Sequence, residues 1–288
     1  MNVDKTLLVR LRKETLAPFS ACSKALLEAN NDYAEAKKLL FKSSILKAKS
    51  DSLAFDDQLP EGKIYTASFE DNSLGILCVW RAQTDFVTNS KDFESTQIEV
   101  GKILLDYFKD KEAKEQPEIS ELLKIKSPTE EITIEDKILS LASITKEKIQ
   151  LSEVWVSPQR ENYITIAYKH HNSKLGAVMT FEYQQKPTDM DELKKLVLHY
   201  SASECKFLRE EEATQVWIEE EKSKLKEALL AKNPNVPNVD VILDKQIKKI
   251  VSEVSFSSQS FILDQSLKIS SILTKHSLSP VWAKKLST

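Results

Sequence analysis

The sequence predicts an α+β protein, with a small helical module ahead of two related antiparallel-sheet-and-helix units and a helical arm. Three observations predict it. Apolar residues recur at helical spacing over residues 1–50, the period shortens to that of strands near Lys63, and a strand-strand-helix plan recurs about one hundred positions later.

Residues 1–50 carry Leu7, Leu8 and Leu11, then Cys22, Ala25, Leu26 and Ala29, then Ala36, Leu39 and Leu40. Spacings of three and four put each set on one helix face. Pro18 and the stretch Asn30-Asn31-Asp32 interrupt the pattern, so three short helices are expected. So small a bundle buries little surface, which suits it to presenting one face to a partner. Residues 51–62 are polar, contain Pro60 and Gly62, and read as a linker.

Residues 63–150 form the first expected α+β unit. The runs "IYTASF" and "LGILCVW" read as a hairpin, with "EDNS" supplying turn residues. Ser90 is suited to cap a helix whose apolar face is Phe93, Ile98, Ile103, Leu104 and Phe108, with Gly101 weakening its middle. The charged segment 109–137, interrupted by Pro117 and Pro128, reads as a surface connection holding a short helix.

Residues 151–288 form the second unit. "YITIAYKH" and "KLGAVMTFEY" read as strands, and Leu193, Leu196, Val197 and Tyr200 mark one helix face. The pair Leu74-Gly75 recurs as Leu175-Gly176, each time in a strand that precedes a helix, which points to a duplicated unit. Residues 210–254 read as an antiparallel helical arm: a charged helix, a break at "NPNVPN", and a second helix packing through Ile242, Ile247, Ile250 and Val251.

Composition narrows the function. The net charge is −3, so no global basic field recommends nucleic acid as a partner. With 4 glycines and neither phosphate-binding glycine fingerprint, a backbone cradle for phosphates is not expected. Apolar runs fall short of the ~20 residues that span a bilayer. Cys22, Cys78 and Cys205 are widely separated and odd in number, which fits free thiols in a reducing compartment. His170, His171, His199 and His276 show no metal-ligand spacing, and the adjacent pair would face opposite ways on a strand. No nucleophile motif is present, so no catalytic residue, metal or cofactor is expected.

One further stretch, "RAQTDFVTNS", sets an acid and an aromatic ring, Asp85 and Phe86, where a strand gives way to a helix. Read alone, Phe86 is a core or turn aromatic, Asp85 a helix-start acid, His170 a structural histidine and Lys24 a solvated helix residue. Three stretches in order, however, resemble one family, translation elongation factor Ts, the guanine-nucleotide exchange factor of elongation factor Tu. "LLVRLRKETLAPFSACSKALLEANNDYAEAKKLL" resembles that family's N-terminal helical module of the ubiquitin-associated type. "GKIYTASFEDNSLGILCVWRAQTDFV" carries the signature Q-T-D-F-V at Gln83, Thr84, Asp85, Phe86 and Val87. "KKIVSEVSFSSQSFILDQSLKISSILTKH" resembles the C-terminal core segment.

The resemblance implies a heterodimer with elongation factor Tu, in which Thr84, Asp85, Phe86 and Val87 form a corner that inserts near the nucleotide of the GTPase. Lys24 and His170 would be further contacts. It implies no covalent chemistry and no cofactor. Three departures stand out: Leu16 and Pro18 where glycines are usual, Ser23 where a lysine is usual, and "TKEK" at 145–148 where the family has I-G-E-N, which puts Lys146 at a glycine position. A binding protein that has lost exchange is the alternative. The divergence points to an organellar member in the mitochondrial matrix without its transit peptide, with a bacterial cytoplasm as the other compartment.

Overall fold

The computed structural model describes the chain except residues 1, 16, 53–57, 129–131, 233, 235 and 236 and the side chains of 47–52. Leu16 and residues 53–57 of the expected linker therefore lie outside the described residues. Helices α1 (Lys5–Thr15), α2 (Phe19–Glu28) and α3 (Tyr33–Ser52) form the N-terminal bundle. Pro18 precedes α2 in an extended conformation, and Asn30 and Asn31 take left-handed φ values of 53° and 64° to turn the chain into α3. Leu8, Leu11, Cys22, Ala25, Leu26, Ala29, Ala36 and Leu40 fill its core, with Leu7 and Leu39 half-buried around it.

The first sheet contains β1 (Glu61–Ser68), β2 (Gly75–Ala82) and β3 (Ile149–Val156), with β2 central and both pairings antiparallel. Its third strand thus comes from across the expected division at 150/151. Over it pack α4 (Asp85–Thr88), α5 (Lys91–Phe108), α6 (Ile119–Leu122) and α7 (Ile134–Thr145). Ile76, Cys78 and Trp80 point from β2 into this helical side, while the alternate Leu77 and Val79 join a second cluster on the opposite face. Burial on both faces explains why β2 reads as an unbroken apolar run. On α5 the buried position is Gln97 rather than the expected Ile98, which is 39% exposed. Gly101 has a packing reason: a Cβ there would come within 2.2 Å of Tyr65 Cε1. Helix α3 packs along α7, which ties the bundle to this unit.

The second sheet contains β4 (Tyr163–Lys169), β5 (Leu175–Tyr183) and, at the chain's end, β8 (Leu278–Ser287), with β5 central. Helices α8 (Met190–Ala202) and α11 (Ile269–Lys275) cover one face, where Leu193, Leu196, Val197 and Tyr200 meet Ala177, Met179, Phe181, Ile269 and Ile272. Helices α9 (Gln215–Lys232) and α10 (Val239–Val254) form the arm. The stripe buried on α10 is Leu243, Ile247 and Val251; Ile242 and Ile250 are only half-buried. A short hairpin, β6 (Ser260–Phe261) and β7 (Asp264–Lys268), lies between α10 and α11.

The two sheets meet face to face. Ile64, Leu77, Val79 and Val178 form the seam, flanked by Trp155, Ala167, Trp282 and Leu286. The result is a four-layer stack, helices on sheet on sheet on helices. A chain of buried hydroxyls accompanies the seam. Ser157 Oγ accepts from the Gly75 N–H at 2.9 Å and from Thr165 Oγ1 at 3.3 Å, and Thr165 and Thr180 Oγ1 lie 2.9 Å apart. Buried polar groups are tolerated there because each finds a partner.

Candidate functional site

Just past the end of β2, the chain turns at Thr84 into α4, a single helical turn. Thr84 is in extended conformation and caps that turn, its Oγ1 accepting from Val87 N at 3.4 Å. Its own N–H donates to Glu147 Oε2 at 3.1 Å and its hydroxyl to Glu147 Oε1 at 2.7 Å. Beside it, Gln83 Oε1 accepts from Lys148 N at 2.9 Å. On the far side Val87 and Thr88 are buried, Thr88 Oγ1 donates to Asp85 O, and Ser90 donates to Val87 O while capping α5 through Phe93 N. Between these anchors Asp85 and Phe86 project outward. Phe86 is 84% exposed, the most exposed large apolar side chain among the described residues.

The bracing segment follows α7. Lys146 closes that helix in the left-handed region, φ 58° and ψ 31°, with its N–H on Ala142 O. Glycine takes this conformation without the Cβ conflict that any other residue carries. Lys146 thus stands at a position whose backbone favours glycine, and its turn swings Glu147 toward Thr84.

His170 lies just beyond β4, in the turn to β5, rather than on the strand. The rings of His170 and His171 are consequently 4.1 Å apart instead of facing opposite ways, and Tyr168 OH lies 3.1 Å from His170 Nδ1. This turn docks on β1. Lys63 Nζ donates to Asn172 O at 3.0 Å, Ile64 N to Ser173 O at 2.7 Å, and Lys174 pairs with Glu61 at 2.9 Å. Glu61 is in register with Ala82, so the turn and the corner share one end of the paired sheets. Partial burial lowers the Lys63 ammonium's pKa; Lys174 and Lys169 lower it further and Glu61 opposes them.

Lys24 stands apart, on the outer face of α2, its side chain 79% exposed and 3.8 Å from Glu28. Phe19 and Leu27, eight positions apart, leave apolar surface beside it, and Ser23 is half-buried next to it. The packing of α3 on α7 holds this module beside the helix whose end braces the corner. Thr84, Asp85, Phe86 and Val87 are therefore one structural unit, His170 is at the same end of the sheets, and Lys24 is on a separate surface. Glu147 was not singled out by sequence reasoning; the signal was its place as the retained acid of the "TKEK" stretch. Among the described residues no group of three or more histidine, cysteine, aspartate or glutamate side chains could hold a metal ion. No described helix is long and apolar enough to cross a membrane.

The family model described as elongation factor TS matches residues 83–286, beginning at Gln83 of this corner and running through α4–α7, β3, the second sheet and the arm. The chain belongs to the elongation factor Ts family. The elongation factor Ts of Mycoplasmoides gallisepticum is 31% identical to this chain over 261 residues, covering 90% of it and 83% of the relative. That of Mycoplasma pneumoniae is 27% identical over 285 residues, covering 93% and 86%, and that of Aquifex aeolicus 26% over 274 residues, covering 93% and 91%. The identities are low for elongation factors Ts that align along nearly their whole length, so this is a divergent member.

Proposed function

We propose that this protein binds elongation factor Tu and accelerates the release of GDP from it, with the corner Thr84–Val87 as the inserting element. The observation that carries this reading is Phe86, which stands in water on a single turn whose neighbours on both sides are buried or hydrogen-bonded. A ring held out in this way contributes little to the fold, whereas a partner's pocket can bury it as an anchor. Asp85 beside it brings a negative charge to the same tip.

An exchange factor must bind the nucleotide-free GTPase better than the nucleotide-bound one, because a ligand shifts an equilibrium only by its differential affinity. The coupling is reciprocal. A ~10⁴-fold weakening of nucleotide needs about 5.5 kcal/mol, and a single aromatic hot spot supplies roughly 2–4 kcal/mol. Other surfaces must share the load: the His170 turn at the same end of the sheets, and the α2 face of Lys24, Phe19 and Leu27. The protein acts as a heterodimer with the GTPase and performs no covalent chemistry of its own. The bacterial origin of the three relatives favours a bacterial cytoplasm over the mitochondrial matrix.

Lys146 supports a second reading, a partner-binding protein without exchange activity. It puts an exposed charged side chain beside the corner, where the family resemblance has glycine. Stopped-flow release of a fluorescent GDP from elongation factor Tu separates the two. Acceleration that is lost in Phe86→Ala supports exchange; a complex on a sizing column without acceleration supports the second reading. Absence of any complex would overturn both.

A further inference from the structure

We infer that Glu147 is the positioning residue of the exchange corner: by gripping Thr84 with both carboxylate oxygens it sets the aim of Asp85 and Phe86. The inference rests on the exchange reading proposed above. Helix α4 has four residues, too few to hold a helical conformation by its own hydrogen bonds. Its direction must come from tertiary contacts. After the tip those contacts are local, through buried Val87 and Thr88 and the Ser90 cap. Before the tip they are polar and distant in sequence, because Thr84 and Gln83 meet Glu147 and Lys148 more than sixty positions away.

The division of labour at Thr84 explains why an acid is needed. The Thr84 hydroxyl has one hydrogen, and Glu147 Oε1 takes it at 2.7 Å; the oxygen's lone pairs are then left to accept from Val87 N. Glu147 Oε2 meanwhile accepts the Thr84 N–H, which opens the turn and has no helical partner. An ionised carboxylate accepts at both oxygens and makes each bond charge-assisted. A glutamine would offer one acceptor only. Phe86 follows Thr84 by two residues, so a small rotation at Thr84 swings the ring through a larger arc. The left-handed turn at Lys146 presents Glu147 to Thr84, which links the end of α7 to the end of β2.

The test is the maximal rate of GDP release at saturating protein, with the affinity of the complex measured alongside, for wild type, Phe86→Ala, Glu147→Ala, Glu147→Gln, Thr84→Val and the double variant Phe86→Ala/Glu147→Ala. Glu147→Ala should cut the maximal rate roughly tenfold or more while the Kd for the complex moves by less than about threefold. Glu147→Gln should recover part of the rate, and Thr84→Val, which keeps the side-chain shape and the backbone N–H bond to Glu147 but loses the hydroxyl bond and the cap, should lower the rate as well. The double variant should lose less than the product of the two single losses, since residues that act through one another are non-additive. A wild-type rate in Glu147→Ala, or losses that multiply in the double variant, would overturn the positioning role and leave exchange standing. A wild type that does not accelerate release would sink exchange itself and this inference with it.

Discussion

Gly75 and Gly176, 101 positions apart in the duplicated Leu-Gly pair, occupy matching places on opposite sides of the seam between the two sheets. A Cβ on Gly75 would come within 2.5 Å of Thr165 Cγ2 and 2.8 Å of Val178 Cγ1; one on Gly176 would come within 2.4 Å of Ile64 Cγ2. Each glycine admits the other sheet. The obstructing groups are β-branched side chains in a packed interior, which cannot swing aside cheaply. Gly75→Ala and Gly176→Ala should each lower stability by about 1–3 kcal/mol, read from urea denaturation midpoints.

Lys146→Gly should act in the opposite direction. A non-glycine residue in the left-handed region costs about 1–2 kcal/mol, and the greater freedom of glycine in the unfolded chain returns about 0.5–1 kcal/mol of that. A net gain of roughly 0.5–1 kcal/mol is expected, measurable as a raised denaturation midpoint with an unchanged slope.

Phe86 and Val87 are neighbours with opposite duties. Phe86→Ala should change stability by less than about 0.5 kcal/mol, since the ring is in water. Val87→Ala removes buried methyls at 6% exposure and should cost about 1–3 kcal/mol. Equal thermal shifts for the two variants would contradict the projecting corner.

His199 makes stability depend on pH. It is buried at the end of α8 against the Phe256 and Phe261 rings, with the Lys285 ammonium of β8 nearby and Cys205 sharing its partner Gln259. Its Nδ1 accepts from Ile262 N at 3.1 Å, so the neutral ring carries its hydrogen on Nε2 and donates to Gln259 Oε1 at 2.9 Å. Burial lowers its pKa; the Gln259 bond opposes that and Lys285 reinforces it. Between that lowered value and the ordinary value of about 6.5, the unfolded chain binds a proton that the folded one refuses. Stability should therefore fall as pH drops below about 6.5, by up to about 1.4 kcal/mol per pH unit. His199→Gln should flatten that part of the profile, and an unchanged slope would show the histidine is not its source.

Much of the architecture was legible because local burial leaves a periodic trace. The bundle core from Leu8 to Leu40 and the α8 stripe of Leu193, Leu196, Val197 and Tyr200 lie where spacing put them. Where spacing misled, the neighbour decided. Gln97 and Leu243 are buried in place of Ile98 and Ile242 because a helix is rotated by what it packs on, and apolar residues on both sides of a stripe blur its centre. β8 was illegible for a related reason: Pro280, Lys284 and Lys285 interrupt an apolar strand pattern, yet as an edge strand it tolerates a proline, and its lysines find partners across the fold, Lys284 over the Trp155 ring and Lys285 on the carbonyls of Tyr200 and Ser203.

The sequence alone specified the three helices of the bundle, the strands β1, β2, β4 and β5, the helices α5, α8, α9 and α10, and, through Gln83–Val87 and the flanking stretches, the family. These follow from steric preferences and burial periods that act over a few residues. Only the tertiary structure decided that Phe86 faces water while Val87 does not, that Gly75 and Gly176 serve one seam, and that Glu147 grips Thr84. The physical reason is range. Conformation is set by neighbours along the chain, whereas exposure and long-range hydrogen bonds are set by which surfaces meet, and residues 63 positions apart carry no shared pattern until the fold brings them together.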